Sequence, residues 1–220
     1  MNQVSIVDYG MGNIKSVCRA LEHVGAKPNL CSDPEKLKCA DRVILPGVGA
    51  FGDGMVELKK TGMDQALVAY ADAGRPLLGI CLGMQLLFDS SEEHGSHQGL
   101  GLIPGTVQNI PTKSEDGWLC KIPHIGWSPI LTGTTCNRWN KSILENIPQH
   151  ACFYFVHSYV AVPNESKYIL AECLYGRTNL TAVARNENMI GTQFHPEKSG
   201  RLGLRLLHNF MKPNIKNSTI

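Results

Sequence analysis

The chain has 220 residues, 43% of them hydrophobic and 18% charged, with a net charge of +2. That make-up predicts a single globular domain over residues 1–220, large enough to bury a proper core. The balanced charge contains no basic run, which argues against nucleic acid and membrane surfaces as partners, and no apolar run approaches the ~20 residues that span a bilayer.

Met1–Ser5 has neither a charged n-region nor a long apolar h-region, so no export signal is expected. None of the eight cysteines (Cys18, Cys31, Cys39, Cys81, Cys120, Cys136, Cys152 and Cys173) forms a C-x-x-C pair. They read as reduced thiols of a cytoplasmic protein, with no metal site and no cofactor.

In chain order, Val4–Asp8 reads as a short apolar strand, followed by a turn at Gly10–Asn13. A helix is predicted from about Asn13 to Val24, with Ile14, Val17, Cys18, Leu21 and Val24 on one face, Asn13 as N-cap and Gly25 as its stop. Asp33-Pro34 reads as a cap and first position of a short helix. Arg42–Leu45 is a strand, and Met63–Ala73 an amphipathic helix. Leu77–Ile80 is a buried strand, and a helix begins at Leu82. Strands alternating with helices predict an α/β fold: a three-layer, largely parallel twisted sheet with helices on both faces. From Ser90 to Thr135 glycines and prolines predict loops and short strands. Ala151–Val156 is a strand, and Thr181–Ala184 with Met189–Gln193 a hairpin across Arg185–Asn188. A helix from Arg201 to Met211 follows, capped by Ser199, and Lys212–Ile220 reads as a frayed tail.

The chemistry centres on Cys81, alone at the turn between strand and helix. Gly79 and Gly83 stand two residues to either side, the nucleophile-elbow pattern with sulfur in place of a serine oxygen. A helix N-terminus favours the thiolate, and free backbone N–H groups there can bind an oxyanion. The competing reading is a buried core cysteine. A thiolate nucleophile needs a base, and the base needs an orienting group. His195, just past a strand end, is the best base candidate, with Glu197 two residues on and Pro196 stiffening the link. Alone, His195-Pro196-Glu197 reads as an exposed turn; His157, after a strong strand, is the next histidine candidate. His124 precedes Ile125-Gly126-Trp127, and the other histidines carry no assigned role.

Pro46–Met55 follows a strand and holds four glycines, Gly47, Gly49, Gly52 and Gly54. It reads as an anion cradle or an oxyanion hole. No lysine plus hydroxyl residue closes it as a phosphate loop, so the oxyanion role is preferred, with Val48 and Gly49 nearest and the Leu82 N–H as second donor. Gly10-x-Gly12 hints at a dinucleotide site, but Lys15 stands where the third glycine belongs.

The elbow Gly79–Gln85, the loop Pro46–Phe51 and Gln193–Lys198 together resemble class I, triad-type glutamine amidotransferases. Asp8–Ile14, Pro123–Trp127 and Tyr154–Tyr159 resemble more narrowly the glutaminase subunits of imidazole glycerol phosphate synthases. The resemblance runs over about residues 3–211. It implies that Cys81 attacks the glutamine side-chain amide, that His195 shuttles the proton, and that Glu197 orients His195. It implies that Gly49, Gln85, Glu93, Ser158 and Tyr159 hold glutamine. It further implies a heterodimer with a (β/α)8-barrel cyclase subunit that receives the ammonia, with Asn13, Tyr154 and Lys198 facing that partner. Ser128, where this family has asparagine, and the segment Tyr175–Asn186 depart from the pattern. They keep a second reading open: a paralogue supplying ammonia to another synthase, such as one amidinating bacterial surface sugars. A cysteine hydrolase of other specificity and a non-catalytic binding module are the rivals from other classes.

Overall fold

The computed structural model describes residues 3–113, 117, 119–133 and 139–212. The first half alternates strand and helix: β1 (Gln3–Val7), α1 (Ile14–His23), β2 (Lys27–Cys31), α2 (Pro34–Leu37), β3 (Val43–Gly47), α3 (Phe51–Thr61), α4 (Met63–Asp72), β4 (Leu77–Cys81) and α5 (Leu82–Leu86). Then come β5 (Phe88–Ser91), β6 (His97–Gln98), β7 (Ile103–Asn109), β8 (His124–Thr132), β9 (Cys152–His157), β10 (Tyr159–Pro163), β11 (Ile169–Tyr175), β12 (Thr178–Asn186), β13 (Met189–Thr192) and α6 (Gly200–Phe210).

Nine strands form the main sheet in the order β2-β1-β3-β4-β13-β12-β11-β8-β9. The run β2-β1-β3-β4-β13 is parallel, and the run from β13 to β9 is antiparallel. Every residue of β3 and β4 is buried, as expected of parallel strands covered on both faces. Alternation then sorts their side chains. Ile44, Leu78 and Ile80 face a cluster with Val17 and Leu21 of α1 and Leu206 and Phe210 of α6. Val43, Leu45 and Leu77 face the other side, against Leu37, Phe51, Leu58, Leu67 and Tyr70 of α2, α3 and α4. A smaller sheet, β10-β7-β5-β6, packs on that second side through Phe88, Ile103, Val107 and Ala161.

The three layers, and helices on both faces, match the sequence pattern. Four details differ. The glycine stretch is a loop only to Ala50, because α3 begins at Phe51. Gly52 and Gly54 lie inside that helix, where a Cβ on Gly54 would meet Leu82 and Leu86 at 3.3 Å; these glycines serve close packing. The region after Ser90 holds more strand than its glycines predict, in β6, β7 and β8. Asn13 and Ser199 occupy cap positions without a capping side-chain hydrogen bond. Ser199 Oγ instead donates to the His195 carbonyl at 2.6 Å and accepts from the Tyr154 N–H at 3.0 Å. The hairpin is present and longer than predicted, turning at Glu187-Asn188 with Glu187 at φ 51°. Of the predicted tail, residues 213–220 lie outside the described residues.

Candidate active site

The site sits at the carboxyl ends of the parallel strands, where open α/β sheets place their ligands. β3 and β4 run in register there, with Gly47 beside Cys81. Cys81 is the last residue of β4 and the N-cap of α5, at φ 56° and ψ −112°. That backbone is a strained one for an L-residue, costing on the order of 1–3 kcal/mol, and persists only where the surroundings enforce it. The two glycines provide the room. A Cβ on Gly79 would lie 2.5 Å from the Gly83 carbonyl oxygen, and one on Gly83 would collide with the Leu45 carbonyl of β3. α5 is only five residues long, shorter than the elbow motif leads one to expect.

His195 follows β13 and is 3% exposed. Its N–H donates to the Tyr154 carbonyl at 3.0 Å. Its Nδ1 pairs with Glu197 Oε1 at 2.8 Å, and the Glu197 side chain is 1% exposed. Pro196 opens the 3-10 turn that carries Glu197. With Nδ1 donating to the carboxylate, Nε2 is the working nitrogen; it is buried and makes no protein hydrogen bond. Burial alone would lower the imidazole pKa, but interaction with Cys81 and with Glu197 outweighs it and raises the ring to about 9. The ring is therefore held as an imidazolium at neutral pH, beside Cys81 and Glu197.

A cavity of about 350 Å3 joins these groups, lined by Val48, Gly49, Cys81, Leu82, Gln85, Glu93, Val156, His157, Ser158, Tyr159 and His195. All three oxyanion candidates and all five substrate-binding candidates line this one cavity. Gly49 has φ +103°, a conformation few L-residues adopt. Glu93 Oε2 accepts from the Phe51 N–H at 2.6 Å, so it ties the start of α3 to the cavity wall. Gln85 Nε2 donates to the Tyr159 carbonyl at 3.0 Å and to Gln193 Oε1 at 3.1 Å. Both amide hydrogens are thus committed to the protein, leaving Oε1 for a ligand.

Asn13, Tyr154 and Lys198 gather elsewhere on the rim. Lys198 Nζ lies 5.8 Å from the Tyr154 ring centre, and α1, which Asn13 precedes, packs on the turn holding Lys198. Trp127 meets Tyr154 edge-on at 6.2 Å. Trp127 and Ile125 are 57% and 58% exposed, an apolar surface beside the cavity.

Three features escape the sequence reading. Tyr9 reaches the Pro46 carbonyl. Gln193, fully buried, donates from Nε2 toward Cys81 Sγ at 3.9 Å. His124 and His157 are joined at 2.9 Å as a buried pair. Gln193 stands inside the quoted motif next to His195, but no alternation marks its burial, because every residue from Met189 to Pro196 is buried. The histidine pairing follows from the β8–β9 register, which sets His124 opposite His157.

Comparison with known proteins decides the family. Residues 5–213 match the model of the glutamine amidotransferase class-I family. The chain belongs to the class I glutamine amidotransferases. A relative from Legionella pneumophila (strain Lens), imidazole glycerol phosphate synthase subunit HisH 1, is 48% identical over 96% of this chain and 100% of its own length. The HisH subunit of Syntrophotalea carbinolica is 45% identical over 94% of this chain and 98% of its own length. Among solved structures, PurLQS from Thermotoga maritima shares the amidotransferase fold at a TM-score of 0.70, with 20% identity over 94% of this chain and 96% of that chain. No helix among the described residues is long and apolar enough to cross a membrane.

Proposed function

We propose that this amidotransferase is the cytoplasmic glutaminase subunit of an imidazole glycerol phosphate synthase in histidine biosynthesis, acting as one domain over residues 1–220. The single observation that carries the catalytic half is the buried His195–Glu197 pair sharing a cavity with Cys81 on its strained elbow. The Cys81 thiolate attacks the side-chain amide carbon of glutamine, and the oxyanion forms beside Val48, Gly49 and Leu82. The carbon–nitrogen bond breaks as His195 Nε2 gives its proton to the departing ammonia. Water, deprotonated by the same nitrogen, then attacks the γ-glutamyl thioester and releases glutamate. Glu197 holds the ring tautomer throughout. Gln85, Glu93, Ser158 and Tyr159 are the residues we assign to holding glutamine.

The names of the HisH relatives support the histidine-pathway half. We further propose that the ammonia passes to a (β/α)8-barrel cyclase subunit in a heterodimer. The rim of Asn13, Tyr154 and Lys198, extended by exposed Trp127 and Ile125, is a docking face of suitable apolar character. The test is glutamate release from glutamine by the chain alone, then with a histidine-pathway cyclase and its nucleotide ligand. Strong stimulation by cyclase plus ligand is expected. Release that ignores that cyclase assigns the glutaminase to another synthase, and no release under either condition overturns the catalytic reading.

A further inference from the structure

A continuous line of buried and part-buried hydrogen bonds runs from β8 to the sulfur of Cys81. Its outer end is Ser128 Oγ, 2.8 Å from His124 Nε2. His124 Nδ1 is 2.9 Å from His157 Nε2, and His157 Nδ1 is 2.8 Å from the Tyr159 carbonyl. That carbonyl also accepts from Gln85 Nε2, which donates its other hydrogen to Gln193 Oε1. Gln193 Nε2 then points at Cys81 Sγ.

The direction of every link follows from one atom. A carbonyl oxygen can only accept, so His157 must carry its proton on Nδ1, and the Gln85 atom facing Tyr159 must be its nitrogen. Neutral His157 therefore accepts on Nε2, His124 donates to it from Nδ1, and His124 Nε2 accepts the Ser128 hydroxyl. On the other side, Gln193 must present its oxygen to Gln85, which leaves its amide nitrogen toward the sulfur. No alternative orientation satisfies all the partners. The rings fit that neutral arrangement: burial lowers His124 to about 4 and His157 to about 3. His124 is also clamped between Phe155 and Tyr175, at ring separations of 4.8 and 3.9 Å. A line of this kind, with each polar group satisfied, is rigid and specifies one geometry.

We propose that Gln193 is a positioning residue for the Cys81 sulfur, held in its orientation by the line Ser128–His124–His157–Tyr159 carbonyl–Gln85. The inference rests on the reading of Cys81 as the nucleophile. Gln193 donates to the sulfur most strongly when it is anionic, because hydrogen bonds to charged groups are the stronger ones. It thereby favours the attacking form and aims it. The other titratable groups around the sulfur are His195, Tyr9 from just past β1, whose burial next to Cys81 is reflected in its raised pKa, and Glu93 in the cavity wall.

The experiment is alkylation by iodoacetamide across pH, followed on the Cys81 peptide by mass spectrometry, together with kcat and KM for glutamate release. Gln193→Met keeps the side-chain length and removes the donor. It is expected to move the alkylation midpoint up by about one pH unit and to lower kcat roughly tenfold while KM stays within about threefold. Ser128→Ala cuts the outermost link at a half-buried position, and a smaller shift in the same direction is expected. An unchanged midpoint in either folded variant overturns the proposal, and if Gln193→Met does not fold, Ser128→Ala decides it alone. A wild-type Cys81 no more reactive than the exposed Cys39 and Cys152, with no glutamate released, would instead overturn the nucleophile assignment itself.

Discussion

The Tyr9 hydroxyl donates to the Pro46 carbonyl at 3.0 Å, tying the segment just past β1 to the end of β3, from which the loop carrying Val48 and Gly49 leads. Tyr9 is 3% exposed, and its burial raises the phenol above its ordinary range, so it stays a neutral donor at any working pH. The loop is thereby fastened on one side by Tyr9 and on the other by Glu93 at Phe51.

Tyr9→Phe removes the tether and leaves a buried carbonyl without its partner. A loss of about 1–2 kcal/mol in unfolding free energy is expected, the cost of orphaning one buried acceptor. Urea unfolding measures it. Because no triad atom is touched, alkylation of Cys81 should keep its pH midpoint. A variant as stable as the wild type would mean that the loop is held elsewhere.

The elbow makes an unusual prediction for Cys81. The residue sits at positive φ, so alanine there keeps the backbone strain and glycine relieves it. Both Cys81→Ala and Cys81→Gly should abolish glutamate release while leaving the fold and cyclase binding intact. Cys81→Gly is expected to be about 1 kcal/mol more stable than Cys81→Ala, against the ordinary cost of glycine in a folded chain. Thermal unfolding of the two variants side by side checks the sign.

What the sequence made legible was the local chemistry of the backbone. Gly79-x-Cys81-x-Gly83 announces a tight elbow because only glycine tolerates the neighbouring carbonyls. Asp33-Pro34 announces a cap, and the Asp33 side chain does accept from the Glu35 N–H at 3.0 Å. His195 and Glu197 were legible because two residues of turn suffice to bring them together. What was hidden depends on contacts far apart in the chain. Gly52 and Gly54 look like a loop until His97, against Gly52, and Leu82 and Leu86, against Gly54, all more than twenty residues on, are seen to need their space. The meeting of His124 and His157 is set by strand register, which no local pattern states.

Glu197→Gln isolates the carboxylate's hold on His195. In the wild type the folded imidazole, at about 9, lies above its ordinary 6.5. That sign means its contribution to stability is fully present below pH 6.5 and is lost as pH rises through about 9. Glu197→Gln removes the charge, so the loss should flatten, and urea unfolding at the two ends of that window measures the difference. Glutamate release should fall by on the order of 100-fold to 10,000-fold, as when a triad carboxylate is neutralised. A variant with near-normal turnover would pass the orienting role to another group.

The His124–His157 pair predicts the opposite pH behaviour. Both rings are buried, and both are lowered from 6.5, to about 4 and about 3. The folded state therefore binds fewer protons than the unfolded chain in the window below pH 6.5. Stability supplied by the neutral pair is fully present above pH 6.5 and drains as pH falls toward the folded values. The slope is up to about 1.4 kcal/mol per pH unit for each ring that must stay unprotonated. The groups against the pair are Ser128, Tyr175 and the Tyr159 carbonyl, with His195 across the cavity, and none offers an anion to hold a proton there. His124→Phe fits the stack between Phe155 and Tyr175 but leaves His157 Nε2 unpartnered and takes one partner from Ser128 Oγ. It should cost about 1–3 kcal/mol at neutral pH, yet shed one ring's share of the acid slope. Unfolding free energies at pH 7 and pH 5 test both parts, and a parallel loss at the two pH values would show that His124 is not the group being kept neutral.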